Sequence, residues 1–115
     1  MSNIIKTDIP EIGQDQTIKA DAGKLQLHLV PTEIIRCIAR VRAYGNQKYG
    51  DSESWRRVEP VRYLDAAWRH MLAVTDGGLH ALDDESGLPH LEHLATNIAF
   101  LCEAAKNDTE EGEKE

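Results

Sequence analysis

Three stretches of this chain repeat apolar side chains at three- and four-residue spacing, a period that fits helix and not strand. Over residues 32–44, Ile34, Cys37, Ile38 and Val41 share one helical face. Pro31 opens that segment and Gly45 closes it. Arg36 and Arg40 face away from the stripe, and Glu33, Cys37, Arg40 and Tyr44 line one edge. A second helix is expected over 60–75, with Val61, Leu64, Trp68, Met71 and Leu72 apolar and Gly77-Gly78 as its stop. Arg62, Asp65 and Arg69 point the other way, and His70 sits on the boundary. A third runs about 88–105, where Leu91, Leu94, Ala95, Ile98, Leu101 and Cys102 form the stripe. His90, His93 and Asn97 make a narrower polar stripe beside it.

The remaining segments read differently. Residues 1–18 carry no sustained period and are expected to form a mobile arm. In 19–31, Leu25, Leu27 and Leu29 alternate with Gln26 and His28, an extended, strand-like pattern closed by Pro31. Two turn-rich loops, 45–59 and 79–90, separate the helices. The fold class is therefore mainly α: a small bundle of about three amphipathic helices with an extended N-terminal segment, forming one domain over 19–106. Aromatics are only 5% of the chain, so the core must come from Leu, Ile, Val and Ala. Such a core is thin, and completion by homo-oligomerisation is expected.

Charge and hydropathy exclude several functions. The net charge is −7, and residues 107–115 (NDTEEGEKE) hold five acids and one lysine of it. They read as a disordered acidic tail. The rest is nearly balanced and lacks the basic stripe a duplex nucleic acid requires. No apolar run approaches the ~18 residues of a membrane span, and MSNIIKTDIP has no signal-peptide core. Cys37 and Cys102 form no CxxC and fall at apolar helical positions, so buried free thiols are expected. These features point to a cytoplasmic protein.

Candidate chemistry concentrates in DDESGLPHLEHLATN, residues 83–97. His90 and His93 are three apart, which sets them on one helical face, with Asn97 a turn further on. Asp83, Asp84 and Glu85 precede the helix near its positive end. Imidazole and carboxylate in this arrangement can hold a divalent cation: Mg²⁺ or Mn²⁺ if the acids dominate, Zn²⁺ if the histidines do. The alternative is capping chemistry with hydrogen-bonded histidines. A second group is basic: Lys24 after Gly23, Lys48 before Tyr49-Gly50, then Arg62 and Arg69. Lysine beside glycine suits an anion, although Arg69 also suits an ion pair with Asp65. Tyr49 and Trp55 lie in a glycine-punctuated loop, where large aromatics either pack back on the domain or wall a pocket.

Four motifs in order, KADAGKLQLHLVP, YGNQKYGDSESW, RYLDAAWRHMLA and DDESGLPHLEHLATNIAFL, resemble the phage-associated N-terminal domain of dATP/dGTP diphosphohydrolases. That group is linked to MazG-like nucleotide pyrophosphohydrolases, and the likeness covers about residues 19–102. It implies a mostly helical phage protein that handles purine deoxynucleotides with Mg²⁺ or Mn²⁺. MazG-like enzymes hold metal with ExxE and ExxD carboxylates on neighbouring helices. This chain departs from that pattern: Glu33 stands without ExxE, and helix two carries Asp65 without ExxD.

On this reading the chain splits a purine nucleoside triphosphate into monophosphate and pyrophosphate. Glu85, His90 and His93 are the catalytic candidates, and Glu33, Asp84 and Glu85 the metal candidates. Lys24, Lys48, Tyr49, Trp55, Arg69, His70 and Asn97 are the substrate-binding set. The alternative is a non-catalytic binder that sequesters a nucleotide signal of bacterial anti-phage defence. In a phage-encoded protein the compartment is the host cytoplasm.

Overall fold

The computed structural model describes residue 20 and residues 22–114, excepting the side chains of 110–114. The expected arm at 1–18 lies outside the described residues. Two compact units are present, Met1–Val30 and Pro31–Glu115. In the first, Leu27–Leu29 winds into a single 3₁₀ turn, closed by the Val30 N–H donating to the Leu27 carbonyl at 3.1 Å. The alternation of Leu25, Leu27 and Leu29 had pointed to extended chain instead. No strand is formed by the described residues, and a lone extended segment leaves its backbone groups unpaired, whereas the turn satisfies them locally.

The second unit is an all-α bundle of three helices: α1 (Glu33–Tyr49), α2 (Pro60–Gly77) and α3 (His90–Lys114). Helix α1 does not stop at Gly45 but continues to Tyr49. Gly50 is the residue that leaves the helix, at φ 72°, with its N–H on the Asn46 carbonyl at 2.8 Å. Gly45 costs the helix some stability but has no left-handed conformation to impose a stop. Pro60 occupies the first turn of α2, where its missing N–H is harmless. Helix α3 runs beyond the expected end near 105, as far as Lys114, so the segment expected to be a disordered tail is helical in backbone to that point. Alanine, lysine and glutamate after Cys102 favour this continuation.

Helix α3 packs on both α1 and α2. The residues it buries are not those of its apolar stripe. Glu92, Thr96 and Asn97 are its buried side chains, facing Val41 of α1 and Ala67 of α2 as the buried apolar residues of the bundle. Leu91 and Ile98 from the expected stripe are exposed. The expected apolar face of α2 is likewise outside: Val61, Leu64, Trp68, Met71 and Leu72 all reach solvent, Trp68 at 61%. Cys102 is exposed and Cys37 half-buried, both free.

The buried carboxylate of Glu92 is answered by Arg40. Its Nε donates to Oε1 at 2.9 Å and its Nη2 to Oε2 at 2.8 Å, a two-point grip across α1 and α3. Arg40 Nη2 also reaches Glu33 Oε2 at 3.1 Å, and Arg36 joins Glu33 at 3.3 Å. Arg40 therefore points at α3 rather than away from the bundle. Thr96 donates to the Glu92 carbonyl at 2.9 Å and Asn97 Nδ2 to the His93 carbonyl at 2.8 Å, which settles their polar atoms inside the helix.

Arg40→Met leaves the Glu92 carboxylate buried without its partner and is expected to lower the melting temperature by roughly 5 °C or more. Glu92→Gln, which keeps the shape and removes the charge, should cost clearly less. Equal losses in thermal melts of the two variants would show that the charge pair is not what holds α1 to α3.

Candidate functional site

The loop between α2 and α3 folds back on itself and fixes where the chemistry can sit. Asp83 N–H donates to the Leu88 carbonyl at 2.8 Å, Gly87 N–H to the Asp83 carbonyl at 2.8 Å, and His90 N–H to the Ala81 carbonyl at 2.9 Å. Gly87, at φ 74°, makes the reversal possible. The result places Asp83 directly against the start of α3. Its Oδ2 accepts from the Ser86 N–H at 2.9 Å. Ser86 Oγ in turn lies 2.6 Å from His93 Nε2, and His93 Nε2 is 3.8 Å from Asp83 Oδ2.

Helix α2 brings a third imidazole to the same place. His70 stacks on His93 with ring centres 4.8 Å apart, and its Nδ1 lies 2.9 Å from Nδ1 of His90, one nitrogen donating to the other. Burial, with the neighbouring His93 and His90 rings, lowers the His70 pKa to about 4. His93 is also lowered, by burial first, against the opposing charge of Asp83. Burial works to raise the Asp83 carboxyl, but the Ser86 N–H and hydroxyl, then the imidazoles, outweigh it and hold it below the usual value.

These groups lie at one end of a cavity of about 650 Å³. The cavity is lined from α1 by Arg42, Tyr44, Lys48 and Tyr49, from the α1–α2 loop by Trp55, and from α2 by Tyr63, Arg69 and His70. Asp83, Glu85, His93, Asn97 and Phe100 complete it. Trp55 stacks on Phe100 at 4.6 Å between ring centres, Tyr63 packs on the same Phe100 at 4.8 Å, and the Tyr63 hydroxyl donates to the Trp55 carbonyl at 2.7 Å. Arg42 lies 5.4 Å from the Phe100 ring centre. Lys48 forms an ion pair with Glu85, which also accepts from the Tyr44 hydroxyl at 3.1 Å. The Lys48 bond and then the Tyr44 bond hold the Glu85 carboxyl below its ordinary value.

The structure thus brings together Lys48, Tyr49, Trp55, Arg69, His70, Glu85, His93 and Asn97. Arg69 has no ion pair with Asp65 among the described residues. His90 stands behind the cavity wall, joined to it through His70. Glu33 is occupied by Arg36 and Arg40 on α1, and Asp84 is exposed and not part of the lining. Glu33, Asp84 and Glu85 therefore do not converge as a carboxylate cradle for Mg²⁺ or Mn²⁺. Lys24 belongs to the N-terminal unit and is described there alone. Arg42, Tyr44, Tyr63, Asp83 and Phe100 are additions to the expected set. Asp83 is visible in the sequence only as one of three adjacent acids, and the turn alone selects it.

Comparison with known proteins places the chain in a family. The sequence model of the family described as "dATP/dGTP diphosphohydrolase, N-terminal" matches residues 14–114. This chain belongs to that family. A protein of Salmonella phage PMBT28 named dATP/dGTP diphosphohydrolase is 40% identical over 84 residues, covering 73% of this chain. The chain spans 28% of that relative's length. No solved structure matches. Residues 44–55, 62–73 and 83–101 supply most of the cavity wall.

The depressed His70 value gives a pH dependence with a definite sign. The unfolded imidazole takes a proton near its ordinary 6.5, whereas the folded one resists until about 4. Stability is therefore complete above about pH 6.5 and is lost as pH falls from there toward 4, with His93 acting in the same direction. In chelator-treated protein, melting temperature should fall across that window, and His70→Asn should flatten the fall. Parallel curves for the two proteins would assign the acid sensitivity elsewhere.

Proposed function

We propose that the cavity binds a purine deoxynucleoside triphosphate and that the chain serves its hydrolysis between the α and β phosphates, releasing monophosphate and pyrophosphate. The observation that supports this reading is the meeting of cations, aromatics and a histidine–carboxylate group in one concave site of a chain in this family. The name of the phage relative supplies the substrate class. Lys48, Arg42 and Arg69 are the phosphate-facing cations. Trp55, already stacked on Phe100, forms wall, while Tyr49 is 66% exposed and keeps ring surface for a base. His93, whose pKa is lowered by burial and whose Nε2 lies 2.6 Å from Ser86 Oγ, is placed to take a proton from water. A divalent cation, Mg²⁺ or Mn²⁺, would supply charge neutralisation at the triphosphate, and Glu85 beside Lys48 is the carboxylate of the cavity lining that would face it.

A second reading, capture without cleavage, is favoured by the Lys48–Glu85 pair. Glu85 is committed to Lys48 and Tyr44, so a phosphate must displace a carboxylate instead of joining it. A sequestered signal nucleotide of anti-phage defence in the host cytoplasm fits that arrangement. Incubation with purine nucleotides, including cyclic ones, followed by heat denaturation and chromatography separates the two. Monophosphate and pyrophosphate support hydrolysis, and intact release supports capture. Lys48→Ala is expected to weaken nucleotide binding about tenfold, and Glu85→Gln to strengthen it several-fold by freeing Lys48. Weakened binding in Glu85→Gln would give Glu85 a direct role toward the nucleotide or its metal.

The same reading includes a homo-oligomer. Val61, Leu64, Trp68 and Leu72 repeat at helical spacing on one exposed face of α2, and the bundle buries no large apolar side chain completely. A second copy of this face is the occupant of matching chemistry, because it is apolar throughout and two copies cover each other. Trp68→Glu should convert the assembly to monomer in light scattering. An unchanged mass, or a monomeric parent protein, would remove the proposal.

A further inference from the structure

The geometry points to a transition-metal site formed by His70, Asp83 and His90, for a borderline divalent ion of the Zn²⁺, Co²⁺ or Fe²⁺ class. The donors come from three separate parts of the fold: His70 from α2, Asp83 from the returning loop and His90 from the first turn of α3. One donor atom from each lies within 4.8 Å of the other two. The two Nδ1 atoms are 2.9 Å apart. Ligands about 2.0–2.1 Å from a tetrahedral ion are separated by about 3.3 Å, a value between those two distances. Donor atoms at this spacing are close enough to share one ion.

The donor set decides the class of ion. Two imidazoles and one carboxylate suit zinc-like ions, whereas Mg²⁺ demands oxygen ligands and keeps its waters. Outer partners are already in place. The Ser86 N–H holds Asp83 Oδ2 at 2.9 Å, and the His93 ring lies stacked on His70 at 4.8 Å. Three protein ligands leave a fourth position open, the arrangement of catalytic and not of structural zinc. His70 and Asp83 both line the cavity, so that position is reached from the cavity. This set differs from Glu33, Asp84 and Glu85, and it stands without reference to any nucleotide.

The test uses the full chain without nucleotide. The protein is stripped with chelator, loaded with Co²⁺ or Zn²⁺, desalted and assayed for retained metal and for the visible absorption of Co²⁺. About one ion per chain is expected, with the intense bands of low-coordinate, imidazole-ligated cobalt. Asp83→Asn and His90→Gln should each weaken retention by more than about tenfold, the loss that removal of even outer partners causes. Asp84→Asn, one residue away and exposed, should leave it unchanged. Retention of no ion, or retention insensitive to His90→Gln, overturns the proposal, as does loss on Asp84→Asn. Should a variant fail to fold, the wild-type cobalt spectrum decides alone, since weak octahedral bands exclude the four-coordinate site proposed here. Nucleotide binding by metal-stripped protein is measured separately, so failure of the metal site and failure of the nucleotide reading give different results.

Discussion

A carboxylate inside a helical bundle demands a partner, and in this protein the demand of Glu92 organises the packing. Arg40 meets it with two hydrogen bonds from α1, and its Nη2 also reaches back to Glu33 on its own helix. An isolated buried charge is strongly unfavourable, so α1 and α3 have one mutual orientation in which Glu92 is satisfied. That orientation turns the polar side of α3 inward. Thr96 and Asn97 follow Glu92 into the interior, and His93 is carried to the cavity by the same rotation.

The site depends on that choice. With the polar stripe inward, His93 meets His70 of α2, and the start of α3 lies against the loop that presents Asp83. The loop's backbone bonds to Leu88 and Ala81 then hold the carboxylate beside the imidazoles. A helix turned to bury Leu91 and Ile98 instead would carry His93 away from His70 and Asp83. The apolar side chains displaced from the interior collect on the outside of α2 and α3. The same rotation therefore underlies both the cavity and the apolar surface.

Much of this protein was legible from its sequence, though unevenly. The three helices follow from apolar periodicity, and Pro60 marks the start of α2. Their ends were less clear, because Gly45 could act as a stop or be tolerated, and the positive φ of Gly50 settles the matter. Among the site residues, Lys48, His70, His93 and Asn97 stood out because charge and imidazole are conspicuous on amphipathic segments. Asp83 did not, because three adjacent acids are equivalent until a turn chooses one. Phe100 and Tyr63 carried no signal of their own in the sequence.

The sequence by itself determined that the chain is helical, that its chemistry is carried by cations, imidazoles and carboxylates, and which family it resembles. Periodicity and residue type are local properties, so a linear reading captures them. In α1 the expected face, with Cys37, Ile38 and Val41, is the inner one, but in α2 and α3 tertiary structure alone decided which face is inside. Periodicity shows that a helix has an apolar side but not whether that side meets its own chain. Here the two-point bond between Arg40 and Glu92 spans 52 positions and outweighs the apolar stripe, a pairing no local pattern contains.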